Sequence, residues 1–96
     1  MGKYRIIPAA EKEIEEILVY IAGNNLDAAL AFYARLVAIF EMLADNNEAG
    51  VERNELKEGL RSFPIGNYVI FYRTWAANVA IVRVIYAARD LEEIFS

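Results

Sequence analysis

No cysteine and no histidine occur in this chain of 96 residues. The first absence excludes disulfides, thiol nucleophiles and redox pairs. The second removes the commonest general base and the commonest metal ligand. Together they leave no ligand set for a structural or catalytic zinc. No phosphate-cradling GxxxxGK[ST] or GxGxxG loop is present, and no serine stands in a nucleophile elbow. No apolar run approaches the roughly 18 residues of a membrane span. A basic-then-apolar leader is also missing, which points to a cytoplasmic location.

What is there is apolar and acidic. Hydrophobic residues make up 57% of the chain, an excess that fills one core well or leaves a patch for a partner. The length suits a single domain over 1–96. The net charge of −4 is uneven. Residues 1–56 carry five basic and ten acidic side chains (−5), residues 57–89 five and one (+4), and residues 90–96 none and three (−3). A locally positive segment on an acidic protein suits a specific acidic partner better than broad phosphate binding, which needs many Lys and Arg.

Lys3 to Ile7 is short, β-branched and aromatic and reads as a first strand, ended by Pro8. Pro8 then opens a helix, where a missing N–H is harmless. Ile14, Ile17, Leu18 and Ile21 give it one apolar stripe. Glu11, Glu13, Glu15 and Glu16 favour its N-terminal end and are expected to form a solvated face. Gly23 ends it and Asn24-Asn25 makes the turn. Leu26 to Leu43 is a second helix, with Ala29, Phe32, Tyr33, Leu36, Phe40 and Leu43 on one face. Its other face holds few charges, and Ala31, Ala34 and Ala38 there allow another helix to approach. The expected cover is the first helix, in a hairpin; the alternative is a partner's helix.

Ala44 to Glu58 is polar and reads as a long loop, often a sign of function. Three strands follow: Leu60 to Pro64, Tyr68 to Arg73 and Val79 to Tyr86, with turns at Ile65-Gly66-Asn67 and Trp75-Ala76-Ala77-Asn78. The last two strands are apolar on both faces and should be central. Alternation puts Val79, Ile81, Arg83 and Ile85 on one face and Ala80, Val82, Val84 and Tyr86 on the other. Val69, Phe71 and Arg73 likewise oppose Tyr68, Ile70 and Tyr72. Asp90 can cap a short C-terminal helix or tail over Leu91 to Phe95. The fold class is α+β, in the order β-α-α-β-β-β, with a helical hairpin packed on a mostly antiparallel sheet. Where the first strand joins that sheet is left open.

Chemistry rests on arginines placed in apolar strands. Arg61, Arg73 and Arg83 must be paired or reach water. Glu58, Asp90 and Glu93 are the expected partners. Otherwise these arginines are free to fork onto a phosphate or a partner's carboxylate. Cleavage of RNA would also require groups to move protons, and only Tyr86, Tyr72 and Lys57 are available.

The run Leu60-Arg61-Ser62-Phe63-Pro64, Gly66-Asn67-Tyr68, Ile70-Phe71-Tyr72-Arg73, Ile81-Val82-Arg83-Val84 and Ala88-Arg89-Asp90 resembles the RelE/ParE superfamily of type II toxin–antitoxin toxins, closest to the ParE (plasmid stabilisation) branch. Tyr4-Arg5, Pro8-Ala9-Ala10, Ile14 to Ile21 and Tyr33 fit as well. The resemblance implies a β-α-α-β-β-β toxin and a cognate ribbon-helix-helix antitoxin in a hetero-oligomer; no cofactor or metal is expected, given the lack of Cys and His. It implies DNA gyrase as target in the ParE branch and mRNA on the ribosome in the RelE branch. Tyr86 and Ala87 depart from the His and Gly often found there in ParE members. The acidic tail after Arg89 is unsuited to ribosomal RNA, so a gyrase-directed, non-nucleolytic toxin is the favoured expectation. The alternatives are a ribosome-dependent endoribonuclease using Arg61, Arg83 and Tyr86, and a non-toxic co-repressor. Arg61, Arg73, Arg83, Tyr86 and Arg89 are the candidate target- or partner-binding residues. Leu30, Ala34, Val37 and Ala38 are the candidate antitoxin-binding residues, on the sparsely charged second helix.

Overall fold

The computed structural model describes residues 3–95. The chain runs β1 (Tyr4–Ile6), α1 (Pro8–Ala22), α2 (Leu26–Asp45), β2 (Val51–Glu52), β3 (Leu60–Ile65), β4 (Tyr68–Trp75), β5 (Asn78–Tyr86) and α3 (Leu91–Ile94). One five-stranded sheet has the order β1-β5-β4-β3-β2. All pairings are antiparallel except β1 with β5, which is parallel with Tyr4 opposite Val79. The first strand therefore joins the last one, and the two most apolar strands lie inside the sheet as their composition demands.

Local chemistry sets the boundaries. Pro8 occupies the first turn of α1. Gly23 closes that helix in the ordinary right-handed conformation, with φ −60°, so no left-handed glycine cap is used. The Asn25 side chain accepts a 3.0 Å hydrogen bond from the Ala28 N–H and caps α2, satisfying one of the helix's free donors. Gly66, at φ 57°, and Asn67 form a two-residue turn between the paired Ile65 and Tyr68. Pro64 falls beyond the two residues of β3 that β2 covers, where its missing N–H breaks no ladder bond on that side. The Asp90 side chain accepts from the Glu93 N–H at 3.4 Å and caps α3, as its position suggested.

The helical hairpin covers one face of the sheet. Between them lies the main core, built on Ile14, Ile17, Phe32, Leu36, Phe40, Leu43, Ile70, Tyr72, Ile81 and Val84. On the opposite face a smaller cluster of Leu60, Phe71 and Ile85 packs under Leu56, Leu91, Ile94 and Phe95. Phe71 and Phe95 meet edge to face at 4.7 Å, a geometry that aromatic rings favour.

Strict alternation along β5 fails at one place. Phe71 pairs with Arg83 and Tyr72 with Ile81, so Val82 is an extra residue in a β-bulge. Val79 and Ile81 face the helices, and past the bulge Val84 does too, whereas Ile85 joins the open face. Val82 and Arg83 both line a hollow on the open face. A bulge shifts the side-chain phase by one residue. The expected grouping of Val79 and Ile81 with Arg83 and Ile85 is thereby corrected. Alternation along β4 holds: Ile70 and Tyr72 lie in the main core and Phe71 in the other.

The segment expected to be a loop from Ala44 to Glu58 is partly ordered structure. α2 continues to Asp45, and Val51–Glu52 adds β2 to the edge of β3. Tyr72 is the reason. Its side chain is fully buried, yet its hydroxyl accepts the Gly50 N–H at 2.8 Å and donates to the Asn47 carbonyl at 2.9 Å. Gly50 is needed there: a Cβ would collide with the Tyr72 hydroxyl and lie 2.7 Å from the Ser62 carbonyl.

Burial raises the pKa of the Tyr72 hydroxyl above its ordinary value near 10, outweighing the Gly50 hydrogen bond and the Arg61 charge, which lower it. A raised folded-state value means that this contribution to stability is intact below pH 10 or so and is lost as pH climbs through the folded value. Tyr72→Phe strands the buried Gly50 N–H and the half-buried Asn47 carbonyl and is expected to destabilise the protein by about 1–3 kcal/mol in urea unfolding at neutral pH. The stability difference between wild type and Tyr72→Phe should shrink above about pH 10; a constant difference would refute the assignment.

Candidate functional site

The helical face exposes an apolar stripe. Along α2, Leu26, Leu30, Tyr33 and Val37 recur at spacings of four, three and four, one side of a helix. Val19 and Tyr20 are further exposed apolar residues, near the end of α1. Val19, Tyr20, Leu26, Leu30 and Tyr33 are each between 52 and 70% exposed, far more than a monomer's core residues allow. Of the four residues proposed for antitoxin contact, Leu30, Ala34 and Ala38 are exposed. Val37 is half-buried and lines an apolar hollow of about 240 Å³ with Tyr4, Ile6, Ile14, Tyr33 and Leu36. Ala31 is exposed as well, so α1 does not cover the three alanines as expected. It packs instead on the opposite side of α2 through Ile14 and Ile17 beside Phe32 and Leu36. Tyr33 likewise leaves the core stripe and faces solvent.

The arginines divide into held and free. Arg83 forks onto Glu13 of α1: its Nη2 lies 2.6 Å from Oε2 and its Nε within 3.1 Å of both oxygens. The same carboxylate accepts the Val84 N–H at 3.0 Å. The Glu13 hydrogen bond raises the pKa of the Arg83 guanidinium, against the opposing effect of burial. Glu13 is thus no member of a solvated face, and it replaces the expected partners Glu58, Asp90 and Glu93. Arg61 donates to the Gly50 carbonyl at 2.8 Å and to Glu52 at 3.2 Å, so it clamps the β2 edge. Arg73 and Arg89 are exposed and make no ion pair among the described residues. Arg73 and Lys57 border an open-face hollow of about 210 Å³ with Leu60, Val82, Arg83 and Phe95. Arg89 borders a separate hollow beside α1, with Tyr86, Tyr20, Glu13 and Glu16.

Tyr86 is 47% exposed and sits edge to face on Tyr68 at 5.7 Å. Arg61, Arg83 and Tyr86 do not converge. Arg61 is opposite Tyr72 and Tyr86 opposite Tyr68, and four residues of strand separate those rows by about 13 Å. Arg83 is occupied by Glu13, and the Tyr72 hydroxyl by Gly50 and Asn47. Among the described residues no three His, Cys, Asp or Glu side chains gather as metal ligands would. No helix among them is long and apolar enough to cross a membrane. The surface has the means to bind, through the apolar stripe and the free cations Arg73 and Arg89.

A family model described as the ParE toxin of the type II toxin–antitoxin system parDE matches residues 4–91. The chain belongs to the ParE toxin family. It is 32% identical over 91 residues to Toxin ParE1 of Caulobacter vibrioides, covering 94% of each chain. It is 28% identical over 69 residues to Toxin ParE3 of the same organism, covering 72% of this chain and 69% of that one. A chain from the chromosomal ParDE system of P. aeruginosa shares the fold at a TM-score of 0.73, with 17% identity over 90% of this chain and 96% of that one. The ParE branch of the RelE/ParE superfamily, expected from the strand motifs, is therefore correct.

Sequence reasoning missed Glu13, Gly50 and Trp75. For Glu13 a signal existed: Ala10, Ile14 and Ile17 are its neighbours on the buried stripe, so a glutamate at that helical phase points inward. For Gly50 nothing local distinguishes it from any loop glycine, because its constraint comes from Tyr72 on β4. Glu13→Ala removes a charged acceptor from both Arg83 and Val84 and is expected to destabilise by about 2 kcal/mol, against about 1 kcal/mol for Arg83→Ala, which leaves the Val84 bond intact. Equal losses in denaturant unfolding would show that the backbone bond contributes nothing.

Proposed function

We propose that this ParE-family chain is the toxin of a toxin–antitoxin pair, that it inhibits DNA gyrase by binding, and that a ribbon-helix-helix antitoxin neutralises it in a hetero-oligomer. The observation that carries the antitoxin half is the unpartnered apolar stripe of Leu26, Leu30 and Tyr33, flanked by exposed Ala34 and Ala38. An amphipathic segment laid there would bury its own apolar face against the stripe, with the small alanines admitting close approach. The gyrase half is supported by family membership and by the dispersal of Arg61, Arg83 and Tyr86, which a ribonuclease would have to bring to one phosphate. Toxin, antitoxin and gyrase would meet in the cytoplasm. Candidate contacts with the target are Arg73, Arg89 and Tyr86, the exposed members of the predicted set; Arg61 and Arg83 act structurally.

Purified toxin is expected to inhibit gyrase supercoiling at micromolar concentration and to leave ribosome-bound mRNA uncut. A folded protein without effect on gyrase sinks this reading; normal growth on expression without antitoxin would favour a co-repressor instead. Leu30→Glu with Ala34→Glu should weaken antitoxin binding at least about a hundredfold, as burying unpaired charge in an interface does, while gyrase inhibition persists. Unchanged antitoxin affinity in a pull-down or titration would remove the helical face from the interface.

A further inference from the structure

The far end of the open face carries a second cluster that neither the fold nor the antitoxin surface explains. Arg5 on β1 and Arg73 on β4 both pair in register with Ala80 of β5, one from each side. Two strand spacings separate them, about 10 Å. The small Ala80 leaves a hollow of about 330 Å³ between the two arginines, completed by Ile7, Thr74 and Trp75. Trp75 is 57% exposed at the start of the β4–β5 turn, and the Arg5 guanidinium lies over its ring at 5.3 Å. The next residue, Ala76, holds φ 55°, a left-handed conformation that alanine adopts at a cost of about 1–2 kcal/mol.

The charge of this cluster is uncompensated. Neither Arg5 nor Arg73 has an ion-pair partner among the described residues, and no carboxylate lines the hollow. Glu58 borders the neighbouring hollow with Arg73 but lies outside ion-pair distance. A large exposed aromatic held by one arginine and flanked by another is the composition of an interface hot spot. An apolar floor of Ile7 and Ala80 with a cation on either side suits an apolar side chain between carboxylates. Nucleic acid fits less well: two free arginines on a protein of net charge −4 supply little of the phosphate attraction that such binding requires.

We infer that Arg5, Arg73 and Trp75 form the contact through which the toxin grips an acidic segment of its target protein, on the sheet face away from the helical hairpin. Trp75 is the sole tryptophan, so its emission reports occupancy directly. A capped pentapeptide of four acidic residues around a central phenylalanine is expected to change that emission saturably. Its midpoint should rise about tenfold or more in Arg73→Glu, as reversal of an interfacial charge does. The amide counterpart of the peptide should give no change. No response to the acidic peptide, or tighter binding of an oligothymidylate than of the peptide, overturns the proposal. A second arm rests on the gyrase reading: Trp75→Ala and Arg73→Glu, checked for unchanged unfolding, should inhibit supercoiling about tenfold less while binding antitoxin normally. Inhibition equal to wild type overturns the proposal. Failure of wild type to inhibit gyrase overturns the gyrase reading instead, and the peptide arm then decides alone.

Discussion

A central strand needs hydrogen-bond partners along both edges, and β1 supplies them to only part of β5. The ladder ends where the Ile7 N–H donates to the Ile81 carbonyl at 3.0 Å. Past that point the bulge at Val82 turns the Val84 N–H outward, and the Glu13 carboxylate receives it. The same carboxylate neutralises Arg83, the charge the bulge leaves at the bare edge. α1 is thereby fixed to the sheet by polar bonds as well as by Ile14 and Ile17. With α1 in place, α2 has one side to pack against and one side left over. That remaining side is the apolar stripe of Leu26, Leu30 and Tyr33.

Element types and their order were legible because they depend on local periodicity. Pro8, Asn25, Gly66 and Asp90 mark boundaries by chemistry that acts within a few residues. What escaped depends on residues far apart in the chain. The phase of β5 beyond Ile81 is set by a bulge that no local pattern announces. β2 forms because Tyr72, some 20 residues downstream, pulls Gly50 against the sheet. The partners of Arg83 and Arg61 were mistaken for the same reason: carboxylates near in sequence, such as Glu58 and Asp90, lost to Glu13 and Glu52, which are near only after folding.

The candidate surfaces were legible in part. Sparse charge on α2 pointed to a partner-binding face, and Leu30, Ala34 and Ala38 are exposed on it. Reading arginine as the mark of function was less discriminating, because the residue type is the same whether it clamps a loop, as Arg61 does, or stands free, as Arg73 does. The difference lies in whether its neighbours offer acceptors. Ala80 leaves room between Arg5 and Arg73, whereas Gly50 and Glu52 close over Arg61.

The position of Trp75 also governs how this protein must be observed. The chain's only indole lies outside both hydrophobic clusters, at a hairpin tip. Its emission will follow the state of the β4–β5 turn and the Arg5 contact more directly than the packing of the core. Cooperative unfolding must instead be followed through backbone dichroism or the buried Tyr72. An optical transition seen at the indole before the core transition would measure fraying of one turn, and taking it for global unfolding would understate the stability of the whole domain.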